Sequence, residues 1–245
     1  MKTIYLKETG STNNHIQQFL SEGKEIEEGT LVWTGFQSAG RGQGKNRWES
    51  ERNANLTFSI ALYPDFIPAT EQFLLSQIAA LGVIDFLSSF CGLRDLSIKW
   101  SNDIYWKDQK IGGMLIENRL SGHAISHTIL GIGINMNQTI FKGDAPNPVS
   151  VKQITGRDYA LDSAIIAVQK AVLNRYLQLL RDEKEQIRSD YFNSLYRRKG
   201  YFAYRDQLGE FLACIKNIRD TGHLVLETQT GEERVYAFKE VSFVF

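Results

Sequence analysis

The stretch Lys99-Trp100-Ser101-Asn102-Asp103-Ile104-Tyr105-Trp106 is followed after three residues by Lys110-Ile111-Gly112-Gly113-Met114-Leu115. It places two lysines, an aspartate and a pair of glycines in apolar sequence that is otherwise typical of strands. A strand built only for packing would carry Val or Ile at such positions, because an unpaired buried charge costs several kcal/mol. The charges therefore indicate a functional site.

A second unusual stretch, the glycine loop, is Gln37-Ser38-Ala39-Gly40-Arg41-Gly42-Gln43-Gly44-Lys45-Asn46-Arg47-Trp48. Such a loop can bring backbone N–H groups and an arginine against an anion. It is one residue too short for a P-loop, and Asn46 stands where that motif has Ser or Thr. Its third glycine comes one residue too early for a Rossmann fingerprint. For the loop alone, the alternative is a surface hairpin turn with solvated charges.

Two further stretches complete a pattern, Thr9-Gly10-Ser11-Thr12-Asn13 near the start and Gly131-Ile132-Gly133-Ile134-Asn135 in the middle. Taken in their order along the chain, the four blocks resemble those of the biotin protein ligases, also called biotin–acetyl-CoA-carboxylase ligases. The segment Phe238-Lys239-Glu240-Val241-Ser242-Phe243 is similar to the C-terminal signature of that family. The resemblance therefore covers nearly the whole chain.

The resemblance implies an α+β fold in two domains. Residues 1–197 would form a mixed-sheet catalytic domain similar to class II aminoacyl-tRNA synthetases, and residues 198–245 a small SH3-like β-barrel. Regulatory members of the family carry a helix-turn-helix before the first block. That block begins here at Ser11, so we expect a monofunctional ligase that does not bind DNA.

The resemblance also implies a two-step reaction that uses ATP and Mg²⁺. Biotin is joined to the α-phosphate of ATP as biotinyl-5′-AMP and is then passed to a lysine of a biotin carboxyl carrier protein. The implied catalytic residues are Lys110, Arg41 and Asp103. Lys110 would bridge the crowded phosphate and carboxylate oxygens, Arg41 would close over the adenylate, and Asp103 would hold Mg²⁺ or orient the incoming amine.

Two sets of contact residues follow from the same resemblance. The biotin contacts, at neutral polar groups, glycines and two cations, are Ser11, Thr12, Asn13, Gln37, Gly40, Arg41, Lys110, Gly113, Gly131 and Gly133. The ATP and adenylate contacts are Arg41, Gly42, Gln43, Trp48, Lys99, Asn102, Lys110 and Asn135. Without the other blocks, Ser11 and Thr12 would be read as an ordinary helix N-cap, and Trp48 as a core aromatic.

The sequence departs from the family pattern at two positions. Gln43 stands where many members have a second arginine, so we expect faster release of the adenylate. Ser101 replaces a proline and removes no chemical group. Two other functions stay open, a lipoate or octanoate ligase or transferase of the same fold and a non-catalytic biotin sensor. The glycine loop differs from the usual loop of the former, and the charged residues argue against the latter.

Composition limits the other classes. The chain has 245 residues, with 28 Lys and Arg against 28 Asp and Glu, so no basic surface for nucleic acid is indicated. Cys91 and Cys214 are far apart in apolar surroundings, which is typical of a reduced cytoplasmic protein. No signal peptide and no apolar run of membrane-spanning length is evident. His123 and His127 lack the features of a zinc motif. The resemblance also implies a homodimer, since members of the family often dimerise.

Hydrophobic periodicity predicts the order of elements. A helix is predicted over residues 70–90, and one long helix or two successive helices over residues 161–198, ended by Lys199-Gly200. Pro146 and Pro148 predict a loop that leads into a helix. The predicted strands are residues 3–7, 30–36, 55–62, 96–100, 104–106, 111–120 and 124–134, with short strands after residue 200.

Overall fold

The structure, a computed structural model, describes residues 2–44, 46–143, 145 and 147–244. Lys45 of the glycine loop and Pro146 of the predicted loop lie outside the described residues. Within the described part, the strands form two sheets, one of seven strands and one of five.

The larger sheet is mixed. Its strands are β1 (Thr3–Leu6), β2 (Leu31–Thr34), β3 (Leu56–Leu62), β4 (Leu96–Lys99), β5 (Asp103–Trp106), β6 (Gln109–Ser121) and β7 (Ala124–Ile134). They lie in the order β1-β2-β3-β7-β6-β5-β4, with β1 and β2 parallel and the other neighbours antiparallel. All of β3 is buried, as expected of a strand covered on both faces.

Helices cover both faces of this sheet. They are α1 (Thr12–Ser21), α2 (Phe73–Ser89), α3 (Val151–Thr155), α4 (Leu161–Leu180) and α5 (Lys184–Asn193). On one face, Ile16 of α1 packs in a small cluster with Val32. Leu31, the neighbour of Val32, belongs to the main core together with residues of α2 and α4. Successive strand residues point to opposite faces, so the two clusters lie on opposite sides of the sheet.

The segment Ala69–Ser89, which ends with α2, is long and apolar enough to cross a membrane by length and composition. The expectation that no run approaches this length is therefore wrong. Of the apolar window, 61% is buried within the fold. Gly82 brings α2 against α4 so closely that an added Cβ would lie 2.6 Å from the Cα of Val172. The apolar composition thus serves packing in the core.

The smaller sheet follows the helices. Its strands are β8 (Phe202–Asp206), β9 (Gly209–Ile218), β10 (Leu224–Thr228), β11 (Glu233–Tyr236) and β12 (Ser242–Phe243). The sheet is antiparallel in the order β11-β10-β9-β8-β12. Tyr204, Leu224 and Phe243 belong to the same buried cluster as the core of the larger sheet. The predicted α+β fold, a mixed sheet followed by a small β-domain, is confirmed.

One predicted boundary needs correction. The pattern over residues 161–198 forms two helices, α4 and α5, and the second ends at Asn193 rather than at Lys199-Gly200. Beyond Asn193, the chain pairs with the edge strand β4. The Ile98 N–H donates to the Ser194 carbonyl (2.8 Å), and the Tyr196 N–H donates to the Ile98 carbonyl (2.9 Å). Long-range pairing with a sheet edge therefore ends the helix.

Candidate active site

A cavity of about 430 Å³ lies where the larger sheet, the glycine loop and the end of the smaller sheet meet. It is lined by fifteen of the seventeen predicted site residues, namely Ser11, Thr12, Asn13, Gln37, Arg41, Gly42, Gln43, Trp48, Lys99, Asn102, Asp103, Lys110, Gly113, Gly131 and Gly133. The fold thus brings four separate sequence blocks around one space.

The glycine loop is a hairpin that faces this cavity. Arg41 and Arg47 form a backbone bridge, and the Gly42 N–H donates to the Asn46 carbonyl (2.8 Å). The chain therefore returns on itself as in a hairpin, and Arg41, Gly42 and Gln43 line the cavity. Its glycines permit the tight return of the chain.

Lys110 and Asp103 form an ion pair in the cavity lining, with 2.7 Å between Nζ and Oδ1. They lie on the neighbouring strands β5 and β6. A Cβ at Gly113 would lie 3.2 Å from Asp103 Oδ1 and 3.4 Å from Lys110 Nζ, so this glycine leaves room for the pair. The two side chains are 19% and 25% exposed, and a ligand in the cavity can therefore reach both.

Lys99, the last residue of β4, has its ammonium among aromatic rings. Its Nζ donates to the Tyr105 hydroxyl (3.2 Å) and lies 5.3 Å from the centroid of the Phe243 ring. Burial lowers the pKa of Lys99 below 10.5, while the Asp103 carboxylate opposes the shift and the Lys110 ammonium adds to it. Lys99 therefore loses its charge at a lower pH than an exposed lysine.

Another part of the lining consists of neutral polar groups. Gln37 Oε1 accepts hydrogen bonds from the Thr12 backbone N–H (2.8 Å) and from the Thr12 hydroxyl (3.2 Å). The Ser59 hydroxyl lies 2.7 Å from Thr12 Oγ1 and 2.5 Å from Asn13 Oδ1. Ser11 occupies the N-cap position of α1, but its side chain makes no capping hydrogen bond. Its hydroxyl therefore does not serve the helix in the way that the N-cap interpretation requires.

Glu117 is a charged residue beside the cavity that the sequence analysis missed. Its Oε2 accepts hydrogen bonds from Arg41 (2.6 Å) and from the Asn13 side-chain amide (2.7 Å). It therefore ties the glycine loop to α1 and β6. The available signal is an acidic side chain within the strand predicted over residues 111–120.

Two glycines of β7 make room for side chains from other elements. A Cβ at Gly131 would lie 2.3 Å from Asn13 Oδ1, and one at Gly133 would lie 2.2 Å from the Trp48 ring. Asn13 and Trp48 therefore lie directly against the strand backbone. Trp48 also lines the cavity, and its Nε1 is buried with no hydrogen-bond partner in the described part of the chain.

Gly40 and Asn135 are the two predicted contacts that do not line the cavity. A Cβ at Gly40 would lie 2.4 Å from the Trp48 carbonyl oxygen, so this glycine serves the hairpin itself. The side-chain amide of buried Asn135 donates to the Val149 carbonyl (3.2 Å). Asn102, which does line the cavity, donates to the Met114 carbonyl, and the preceding Trp100–Ser101 peptide bond is cis.

The smaller sheet closes the cavity. The lining residues that it contributes are Phe238, Lys239, Val241, Ser242 and Phe243. Trp100 Nε1 donates to the Gly222 carbonyl (2.9 Å), and the Trp100 and Phe238 rings lie 6.0 Å apart. The C-terminal signature is similar to that of the family, but none of its residues is among the site residues predicted from the sequence.

The oxygen ligands in the cavity lining fit a Mg²⁺ ion only if a nucleotide supplies the rest of its ligands. Within the described ranges, no group of three or more His, Cys, Asp or Glu side chains could cage a metal. Asp103 is the one carboxylate that the described residues place in the cavity lining. Mg²⁺ commonly takes one or two carboxylates and completes its shell with phosphate oxygens and water.

A family model described as "Biotin/lipoate A/B protein ligase family" matches residues 5–135. This chain belongs to that family. The matched region contains the four sequence blocks and ends at Asn135, and it includes every cavity residue that comes from the larger sheet and the glycine loop.

Named relatives share part of the sequence. A bifunctional ligase/repressor BirA from Bacillus spizizenii is 29% identical over 215 residues, which make up 86% of this chain and 65% of the relative. The chain thus spans slightly less than two thirds of that relative. A biotin–[acetyl-CoA-carboxylase] ligase from Paracoccus denitrificans is 28% identical over 206 residues, covering 82% of this chain and 85% of the relative.

Solved structures show the same fold. A biotin protein ligase from Aquifex aeolicus in complex with biotin and ATP has a TM-score of 0.80 at 23% identity, covering 98% of this chain and 97% of its own. A biotin protein ligase from Leishmania major in complex with biotinyl-5-AMP has a TM-score of 0.66 at 19% identity, with 96% and 98% covered. The fold therefore extends over both sheets.

Proposed function

We propose that this protein is an ATP-dependent biotin protein ligase. The proposal rests chiefly on the cavity lining, which combines the neutral side chains of Thr12 and Gln37 with the cations Arg41, Lys99 and Lys110. Biotin has a neutral ureido head, an apolar ring and a carboxylate, so it suits a pocket that is neutral at one end and positive at the other. ATP would place its phosphates at the positive end.

In the first step, a biotin carboxylate oxygen attacks the α-phosphorus of ATP. The new P–O bond gives biotinyl-5′-AMP, and the bond to the β-phosphate breaks to release pyrophosphate. Negative charge accumulates on the α-phosphate oxygens as these bonds change. Lys110 is the group we assign to stabilise that charge, because its ammonium is held in place before reaction by Asp103.

In the second step, the neutral ε-amine of an acceptor lysine attacks the acyl carbonyl of the adenylate. An amide bond forms, the bond from the acyl carbon to the phosphate oxygen breaks, and AMP leaves while the amine gives up a proton. We assign Arg41 and the glycine loop to cover the adenylate and exclude water. The proposed acceptor is a biotin carboxyl carrier protein, and the balanced charge of the chain supports this partner over DNA.

We propose two alternative tasks for Asp103, and Asp103→Asn separates them. If the carboxylate holds Mg²⁺ with the nucleotide, the variant needs more Mg²⁺ for adenylation. If it orients the acceptor amine, adenylation keeps its Mg²⁺ dependence and only transfer slows. Asp108→Asn, on the turn between β5 and β6 and outside the cavity lining, is the matched control.

Pyrophosphate release tests the proposed function against its rivals. With ATP and Mg²⁺, we expect release that depends on biotin and is absent with lipoate or octanoate. Release with lipoate or octanoate instead would identify the other branch of the family. If biotin binds, but none of biotin, lipoate and octanoate causes release of pyrophosphate, the protein is a non-catalytic sensor. That result would overturn the enzyme assignment.

Three further assignments belong to this proposal. We propose a domain boundary at residues 197/198, between the end of α5 and the start of β8. A cytoplasmic location is supported by the free thiols of Cys91 and Cys214. We also propose a homodimer, and sedimentation of the purified chain tests it.

A further inference from the structure

We propose that Lys239, on the turn before β12, binds the phosphate of ATP and of the acyl-adenylate. In this role, it supplies at the glycine loop the positive charge that Gln43 does not carry. The inference rests on the proposed function and adds to it a phosphate contact from the smaller sheet. The site residues predicted from the sequence do not include Lys239.

The position of Lys239 supports this assignment. Its side chain lines the same cavity as Arg41 and Lys110. Its Nζ lies 3.4 Å from the Gln43 backbone carbonyl oxygen and would be 2.3 Å from a Cβ at Gly44. The ammonium therefore sits directly on the backbone of the glycine loop, beside the residue whose side chain is neutral.

The charge of Lys239 is available to a ligand. Arg41 is paired with Glu117 and Lys110 with Asp103. Lys239, by contrast, makes no ion pair with any carboxylate in the described parts of the chain, and its contact with Gln43 is to a neutral carbonyl. A phosphate in the cavity would be the stronger acceptor, since charge-assisted hydrogen bonds exceed neutral ones.

The backbone at Lys239 is unusual in a way that suggests a role. Lys239 has a φ of +71°, a conformation that L-residues other than Gly, Asn and Asp rarely adopt. The turn is held by Glu240, whose carboxylate accepts from the Ala237 N–H (2.7 Å). On the other side, Phe238 packs against Trp100. These contacts hold the turn that places Lys239 in the cavity lining, and such retained strain is common at binding sites.

Three variants and a control test the proposal. Lys239→Met keeps an extended side chain and removes the charge, while Lys239→Gly also relieves the positive φ. The third variant combines Lys239→Met with Gln43→Arg. Lys170→Met removes one exposed positive charge from α4, outside the cavity lining, and controls for net charge.

The measurements are the KM for ATP, the dissociation rate of preformed biotinyl-5′-AMP and the Kd for biotin. Loss of one charged contact predicts roughly a tenfold rise in KM and in dissociation rate for Lys239→Met and Lys239→Gly. The Kd for biotin alone stays unchanged. Gln43→Arg restores most of the loss because it returns a cation to the same loop, and Lys170→Met matches wild type.

Each contrary result has a distinct meaning. If both Lys239 variants match Lys170→Met while wild type still forms the adenylate, Lys239 does not bind phosphate and the proposed function stands. If the variants weaken biotin alone as much as ATP, Lys239 only braces the glycine loop, and the phosphate contact is refuted. Wild-type protein that forms no adenylate contradicts the proposed function itself.

Discussion

At the residue scale, the account depends most on Lys110. Lys110→Ala should lower the rate of biotin adenylation by about a hundredfold or more, the scale of one preorganised charge lost from a transition state. The fold should persist, because the Asp103 carboxylate left behind is 25% exposed and can be hydrated. Burst kinetics of pyrophosphate release measure the effect, with Lys170→Ala as control. Near-normal adenylation would remove the role assigned to Lys110.

A second residue-scale prediction concerns pH. Burial lowers the pKa of Lys99 below 10.5, so its amine becomes neutral at a lower pH than that of an ordinary lysine. ATP binding should therefore weaken as the pH rises into the alkaline range, before exposed lysines titrate. Lys99→Arg should move this loss to higher pH, since arginine keeps its charge. The measurement is the KM for ATP as a function of pH for wild type and for Lys99→Arg. If the KM of both proteins rises in the same way at alkaline pH, Lys99 does not contribute its charge to ATP binding.

Individual residues also show which features of the site can be predicted from the sequence. Charges in strand-like or glycine-rich sequence make Lys110, Asp103 and Arg41 conspicuous, and the resemblance to the family implies their roles. The pairing of Arg41 with Glu117 (2.6 Å) was not found, since it joins residues far apart in the chain. Gly131 and Gly133 were expected to admit a ligand, whereas the structure shows that they also admit Asn13 and Trp48. Which side chain lies against a strand glycine depends on tertiary packing.

At the scale of elements, the contact between α2 and α4 fixes how the helical layer packs. Gly82→Ala should destabilise the protein by about 1–3 kcal/mol, because the new methyl group would lie 2.6 Å from the backbone of Val172. Helix propensity alone predicts the opposite sign, a gain of about 1 kcal/mol. Urea unfolding distinguishes the two. Gly10→Ala, with nothing within 4 Å of the added Cβ, is the control, and a Gly82→Ala protein as stable as wild type would refute the close contact.

Elements with strong periodicity were predictable, and their ends were less so. The strand predicted over residues 55–62 is β3 (Leu56–Leu62) within one residue, because turn residues flank a continuous apolar run. The end of α5 was wrong by several residues, since Ser194 and Tyr196 pair with Ile98 on another element. Such pairing leaves no local signal in the sequence.

At the scale of the whole molecule, the two sheets share one hydrophobic core. Tyr204 and Phe243 of the smaller sheet belong to the same buried cluster as Leu31, and Arg188 of α5 pairs with Asp220 (2.9 Å) in the loop between β9 and β10. We therefore expect a single cooperative unfolding transition. Tryptophan fluorescence and far-UV circular dichroism should coincide during urea unfolding. Two separated transitions would show that the smaller sheet is independently stable.

The role of the smaller sheet in the cavity could not be predicted from composition or periodicity. Its strands alternate as a small β-domain should, yet Val241 and Phe243 help to complete a site whose residues from the larger sheet and the glycine loop lie more than a hundred positions earlier. Only the docking of the two units, through contacts such as Trp100 with Gly222, brings them there. Docking of this kind follows from surface complementarity, which a single sequence does not display.

The central claim is that this chain transfers biotin to protein. Its most direct test is incubation with labelled biotin, ATP, Mg²⁺ and a purified biotin carboxyl carrier domain, beside the same mixture without ATP. The account predicts that label is attached covalently to the carrier lysine only when ATP is present. Biotin that binds to the protein but is never attached to the carrier domain in the presence of ATP would contradict it.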